Sequence, residues 1–539
     1  MRQTHIHIES LNGRGESSSL VLSIQVGEHQ DAVQPTRCVG SASCPPSRHS
    51  TLEPYVMPIT QQWELRAEFA RRLSYLYGRE VPAYTTLLME SQAVNDTVLS
   101  ELGADAERLG SSARVTAERH GAIRVGTPEE MSQVARIFAA MGMYPVGFYD
   151  LRETAATSIP VVSTAFRPTD PDELTRNPFR VFTSMLVPSD RRFFNEDLQR
   201  RLQNFLATRR LFSTELLVLA DRATEYQGLD AGDAEMFLSL ATTAFELSTE
   251  AVDRAWYREL EQVSSVAADI GGVTSTHINH LTPRVLDIDA LYRRMKGREI
   301  EMIDTIQGPP RWAGPDLLLR QTSFRALAEP RMFREVDGSI AQDTLRVRFG
   351  EVESRGIAAT VRGREIYDRL TVEIECAAAE LATTTPISAT ERTEIAANLW
   401  SQQVPATEQD LASHDLAYFT YQIDTAKQRD GDVPTASLRD LIAQRWIRPE
   451  PIVYEDFLPK SAAGIFQSNL TSDGHKDTTQ STIAIDAAWM EGVLNRTLHD
   501  PYELYDGIRR ESLTHVARQL GIRGPIEQPS SIATKESNK

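Results

Sequence analysis

Cysteine is scarce in this chain. Among 539 residues there are three, Cys38, Cys44 and Cys376, and no CxxC. That excludes a disulfide framework and a zinc ribbon, and it suits a reducing compartment. No run of about 18 apolar residues occurs, so no transmembrane helix is expected. Basic charge is also short: 57 Lys and Arg face 75 Asp and Glu, a formal net charge of −18. A nucleic-acid partner would need a basic footprint that is absent, although a local arginine can still hold a small anion at short range. The N-terminus lacks an apolar signal core and carries Glu9, Glu16, Glu28 and Asp31, which a presequence avoids. The final Ser537-Asn538-Lys539 is no peroxisomal address. A cytoplasmic location is expected. GxSxG, the P-loop pattern, a post-strand GxGxxG, HExxH and EF-hand spacings are all missing.

What is present is ordinary globular composition, 41% hydrophobic and 24% charged, in a chain long enough for a large core. Residues 1–56 are rich in Ser, Gly, Gln and Pro and read as an extension without regular structure, with at most a short strand at Ser19–Val26. Residues 57–527 read as one large domain. It comprises a sheet at about 115–370, a helical insertion at about 190–265 and a C-terminal lobe at about 390–527. Residues 528–539 read as a disordered tail.

Apolar spacing from Trp63 to Tyr77 predicts a helix, and a second is expected over 84–103. Arg119–Val125 reads as a strand. Thr127-Pro128 reads as a cap and first helical position, and Met143–Tyr149 as the next strand. After the helical region comes Thr276–Asp289, with His277 and His280 before Pro283. A helix over Leu291–Met295 and strands at Glu301–Ile306, Pro315–Phe324 and Leu345–Glu353 follow. His120 and His280 each open a strand–helix–strand unit.

Three constellations carry chemistry. Strand alternation puts His120, Ala122 and Arg124 on one face, a metal-ligating imidazole beside an anion clamp with a small residue between. The bland alternative is a surface strand with a salt-bridged arginine. In the second stretch His277 and Asn279 face one way and His280 the other, so one histidine ligates and the other supports. Spacing does not choose, but the echo between the two units favours His280. In Arg348–Arg355, Glu351 and Glu353 share a face, where two carboxylates need a cation between them or arginine partners beside them. Two histidines and one carboxylate make the ligand set of a non-haem Fe(II) oxygenase.

Glu118–Arg124, Met141–Val146, Ser163–Pro168, Asn177–Ser184, His277–Arg284, Arg320–Phe324, Arg348–Glu353 and Tyr454–Pro459 resemble, in order, the motifs of the 2-oxoadipate dioxygenase/decarboxylase family. The resemblance runs from about residue 60 to 470. It implies an α+β fold with a central vicinal-oxygen-chelate-like, partly barrel-shaped sheet wrapped by helices. It implies Fe(II) on His120, His280 and Glu353, with Arg124 as the catalytic substrate arginine. Lys460 and Ser461 line the substrate pocket in this reading, and His277, Asn279 and Glu351 orient the ligands. Val162 stands where the family pattern has a histidine, and Lys460 where it has a small apolar residue.

The implied reaction converts 2-oxoadipate and O2 to 2-hydroxyglutarate and CO2, a late step of lysine breakdown. No nucleic acid or membrane takes part. A glyoxalase-like enzyme using Zn or Ni as a Lewis acid, a related 2-oxo acid dioxygenase and a silent binding protein are the rivals.

Overall fold

In a computed structural model, Thr4–Leu11 and Ser17–Ile24 are described by their backbone. Residues 59–529 are also described, apart from 109–113, 116, 118–119, 154–158, 347, 383–386, 428–433, 459–468, 470–475 and 478. Met1–Val56 and Met57–Lys539 are two compact units. In the first, β1 (Thr4–Leu11) and β2 (Ser17–Ile24) pair as an antiparallel hairpin. Part of the extension expected to lack regular structure is therefore a hairpin. The remainder of 1–56, and the tail from 530, lie outside the described residues.

The strands of the second unit are β3 (Ile59–Gln61), β4 (His120–Val125), β5 (Tyr144–Asp150), β6 (Val161–Arg167), β7 (Arg180–Leu186), β8 (Gly228–Asp230), β9 (Val252–Asp253), β10 (His280–Thr282), β11 (Leu319–Ser323), β12 (Glu329–Arg334), β13 (Ile340–Leu345), β14 (Glu351–Arg355), β15 (Phe419–Ile423) and β16 (Ile447–Pro451). The central sheet has the order β10-β4-β7-β6-β5, and β11 pairs with β14. β4 and β7 are parallel, while β7, β6 and β5 are successively antiparallel.

The first unit of the echo is thus β4, the helix Pro128–Ala139, then β5, β6 and β7. That helix starts where Thr127 accepts from the Glu130 amide while Glu130 caps back, with Pro128 at the first position. It buries Met131, Val134, Ala135, Ile137 and Phe138 against the sheet. The second unit repeats the order: β10, the helix Ile288–Gly297, a segment bridged at Gln307 to β11 and at Met302 to Phe324 just beyond it, then β11 and β14. In both, the last strand runs parallel to the first, for Arg284 bridges Glu353 in parallel and Val285 N donates to Glu353 O at 2.8 Å. β10 and β4 join the two units antiparallel.

The architecture is mixed α+β, as expected. The barrel-like closure is not found: among the described residues the sheets stay open. Pro283, which lacks an amide proton, follows β10 after three residues, so contact passes to β14 through isolated bridges. The strand expected over Leu345–Glu353 is divided between β13 and β14, which lie in different sheets.

The region between β7 and β10 holds the helices Glu196–Thr208, Thr214–Glu225, Ala231–Thr243, Arg254–Glu261 and Ser265–Gly271, with β8 and β9 between them. One buried apolar cluster surrounds the central sheet. A second, built on Trp400, Phe419, Leu441 and Val516, fills the C-terminal region. No helix among the described residues is long and apolar enough to cross a membrane.

Candidate metal centre

His120 is buried on β4, on the face it shares with Ala122 and Arg124. In the antiparallel pair His280 lies opposite Ala122, and cross-strand partners share a face. The two imidazoles therefore meet, their ring centroids 5.6 Å apart and nearly perpendicular. β14 supplies the carboxylate. Glu351 Oε2 lies 3.4 Å from His120 Nε2 and 3.6 Å from His280 Nε2. One donor atom from each of these three residues falls within 4.8 Å of the others, and among the described residues no other such trio occurs.

The backbone permits this convergence at two glycines. A Cβ on Gly121, next to His120, would lie 2.9 Å from Ile278 Cδ1, and one on Gly350, next to Glu351, would collide with the Phe324 ring. Tyr77, from the helix Gln62–Glu80, places its hydroxyl 3.0 Å from Asn279 O and 2.8 Å from Phe349 O. It thereby ties the approach to His280 to the approach to Glu351.

Glu353, the carboxylate ligand expected from sequence, occupies a different place. Arg180 Nη2 donates to both of its oxygens at 2.9 and 3.0 Å, and Arg355 donates to them at 2.8 and 2.7 Å. Its Oε2 is 3.1 Å from His120 Nδ1, although the alignment there falls short of a hydrogen bond. The two carboxylates of β14 thus stand in different surroundings. Two guanidinium groups occupy the Glu353 oxygens, whereas Glu351 faces the Nε2 atoms of His120 and His280. A carboxylate behind a metal-binding imidazole orients its ring.

Aromatic rings wall the centre. Phe457 meets His120 at 4.9 Å, and Phe349 meets His280 at 5.3 Å. Phe182, the cross-strand neighbour of Ala122, packs on Phe457 at 4.9 Å. Burial disfavours imidazolium: it pushes His280 down to about 4 and His277 to about 3 from the usual 6.5. His280 is therefore neutral near pH 7, the form a metal requires.

The same shifts predict a pH effect on the metal-free protein. Well above pH 6.5 these imidazoles are neutral in both folded and unfolded chains and cost nothing. As pH falls through 6.5 the unfolded chain takes up the protons first. Stability contributed by the two groups is then lost progressively towards about pH 4 for His280 and about pH 3 for His277. Urea midpoints of the apo protein from pH 7 to 4.5 should fall, and His277→Gln should flatten the slope.

Arg124 is buried and paired. Its Nη1 donates to Asp269 Oδ2 at 2.5 Å, and Asn279 Nδ2 donates to the same oxygen at 3.0 Å. His277 Nε2 lies 3.4 Å from Asp269 Oδ1 and 3.1 Å from Asn279 Nδ2. His277 and Asn279 thus surround the arginine's partner and not the trio itself. Val162 is a core residue on the opposite face of the sheet, paired with Met185, while Ser163 pairs with Ser184 on the Arg124 side. Lys460 and Ser461 lie outside the described residues.

Sequence reasoning missed Asp269, Arg180 and Phe457, which come from three distant segments and carry no spacing signal. Arg355 was legible only as a possible ion-pair partner of the β14 carboxylates.

One cavity of about 1340 Å³ lies between the N-terminus of the helix Pro128–Ala139 and the segment 206–214. It is lined by no candidate ligand. The convergence of donors, and not cavity size, therefore locates the centre.

The 2-oxoadipate dioxygenase/decarboxylase family matches residues 69–469. A relative of that description from Mycobacterium tuberculosis is 53% identical over 451 residues, 84% of this chain and 98% of its own. One from Pseudomonas putida is 38% identical over 465 residues, covering 85% and 97%. The crystal structure of the Pseudomonas putida hydroxyglutarate synthase in complex with 2-oxoadipate is similar, with a TM-score of 0.72 and 36% identity. That match covers 86% of this chain and 99% of the other. With a match over most of its length and relatives this close, the chain belongs to the 2-oxoadipate dioxygenase/decarboxylase family.

Proposed function

We propose that this protein is an Fe(II)-dependent enzyme that converts 2-oxoadipate and O2 to 2-hydroxyglutarate and CO2, the lysine-breakdown step its family membership suggests. The observation that carries the reading is the buried convergence of His120 Nε2, His280 Nε2 and Glu351 Oε2 on the face that also holds Arg124. Two nitrogens and one carboxylate oxygen suit a non-haem iron and leave positions open for other ligands. These residues fit the ion, with His120, His280 and Glu351 as ligands. Bound Fe(II) supplies a chelation point for the 2-oxo acid end and the electrons that activate O2.

The chain's own residues do the rest. Neutral His280 presents its lone pair without having to lose a proton. Glu353, held by Arg180 and Arg355, keeps the His120 ring in place from behind. Phe182, Phe349 and Phe457 keep water from the centre, which strengthens the electrostatic contacts inside it. Arg124 stands four residues along β4 from His120, about 13 Å between Cα atoms in an extended strand. With Ala122 leaving space between them, its guanidinium takes the carboxylate remote from the metal and so decides which carbon faces the reacting centre.

The catalytic domain in this reading begins near residue 57, and the C-terminal lobe contributes the Tyr454–Leu458 wall. Lys460 and Ser461 complete the substrate contacts. The central sheet is read as a vicinal-oxygen-chelate-like pair of units. A cytoplasmic location belongs to the same proposal.

The test is anaerobic loading with Fe(II), followed by 2-oxoadipate with and without O2. Equal amounts of CO2 and five-carbon hydroxy acid should form only with O2. Turnover without O2, with Zn or Ni in place of iron, would instead mark a glyoxalase-like Lewis-acid enzyme.

A further inference from the structure

Asp269 is a carboxylate inside the protein, 4% exposed, on the short helix Ser265–Gly271. Ser264 caps that helix by accepting from Ala267 N at 3.0 Å, so its first turn is firmly set. The groups that Asp269 pairs with are not those of the trio. Its hydrogen-bond and ion-pair partners include Arg124 at 2.5 Å, Asn279 at 3.0 Å and His277 at 3.4 Å. Asn279 immediately precedes the trio residue His280, and its amide nitrogen donates to Ala122 O at 2.8 Å, between His120 and Arg124. Thr276 Oγ1 donates to Arg124 O at 2.7 Å, fixing the backbone under the arginine. One oxygen of Asp269 thus receives both the side chain that binds substrate and the residue that leads into the metal site.

That arrangement defines a length. In the reading of Arg124 given above, a 2-oxo diacid must reach from the metal to the guanidinium. A long arginine stem would by itself adapt to several chain lengths, because its rotamers are many. A buried carboxylate on a capped helix removes that freedom and is costly to leave unpaired.

We infer that Asp269 is a positioning residue that holds Arg124 at a set distance from the metal and so selects the 2-oxo diacid by chain length. It touches no reacting atom and acts through Arg124. This rests on Arg124 binding the remote carboxylate.

The experiment uses the iron-loaded full chain with 2-oxoglutarate, 2-oxoadipate, 2-oxopimelate and 2-oxohexanoate, which lacks the second carboxylate. Oxygen uptake gives kcat and KM for each. Asp269→Asn should raise KM for 2-oxoadipate about tenfold or more, with a smaller change in kcat. The preference for the six-carbon diacid over its five- and seven-carbon homologues should shrink. Iron content and whatever rate 2-oxohexanoate supports should not change. In an Arg124→Met background, Asp269→Asn should have no further effect, since the pair acts as one unit.

Asp269→Glu keeps the charge. It should raise the relative kcat/KM of a five- or seven-carbon diacid, and it serves as the test if the asparagine variant does not fold. Equal losses on all four acids, unchanged selectivity in both variants, or a fall in KM would overturn the inference. A fall in KM would mean that Asp269 competes with substrate for the arginine. A wild-type protein without turnover of 2-oxoadipate would defeat the functional reading instead, which separates the two failures.

Discussion

Glu351→Gln should leave a folded protein that no longer retains iron and no longer consumes O2 with 2-oxoadipate. The amide keeps the shape of the side chain but removes the charge that faces the two imidazole nitrogens at 3.4 and 3.6 Å. A divalent ion held by two neutral histidines and an amide is bound much less tightly than one with a carboxylate in its shell.

Glu353→Gln should behave differently. It leaves the donor trio intact and weakens only the support behind His120, an effect of about 10- to 100-fold on metal affinity or activity. Its larger signature should be in stability. Arg355 loses its carboxylate partner in a buried place and Arg180 keeps only Glu455, at 3.2 Å, and breaking such a buried pair costs about 3–5 kcal/mol. Metal analysis after gel filtration, paired with urea unfolding, separates the two. If Glu353→Gln empties the site and Glu351→Gln keeps its iron, the ligand is Glu353, as the sequence resemblance implied.

Arg167→Met should cost about 3–5 kcal/mol of unfolding free energy, because it strands a buried carboxylate. Arg167 donates to both oxygens of Asp456 at 2.8 and 3.1 Å, and the two side chains are each 2% exposed. After the substitution Asp456 keeps the Tyr505 hydroxyl at 2.5 Å but no cation at that position. The effect should extend beyond stability. Asp456 precedes Phe457, whose ring covers His120 and lies 4.8 Å from the Arg180 guanidinium carbon. A displaced Phe457 admits water to the centre, so turnover should fall while iron remains bound. Unfolding with the same midpoint as wild type would show that Asp456 finds compensation elsewhere.

How much of this was legible in the chain differs from element to element. β4 and its helix were readable because local rules agree: alternation for His120 to Val125, then Thr127, Pro128 and Glu130 as cap, first position and return cap. The helix Ile288–Gly297 was readable for the same reason, with Asp287 accepting from Ala290 N at its start. The long strand expected before Glu353 was not found, since alternation from Leu345 onwards does not reveal that the chain leaves one sheet and enters another. Of the hairpin, β2 was legible as the short strand at Ser19–Val26, while β1 and its pairing were missed because low complexity masks pairing that depends on a partner strand.

The chain by itself determined which residue types were available for chemistry. It placed His120 beside Arg124 on one face and made His280 the likelier of two histidines, because these follow from a period of two and from an internal echo. It also excluded broad classes through charge, cysteine count and absent motifs. The tertiary structure decided what those residues are paired with. Glu351 and Glu353 share a strand face and cannot be told apart by spacing. Their surroundings diverge because Arg180 comes across from β7 to occupy one of them, while the imidazoles of β4 and β10 converge on the other. Asp269 acquires a role for the same reason: long-range packing brings a helix 145 residues away from Arg124 in sequence to within 2.5 Å of its guanidinium.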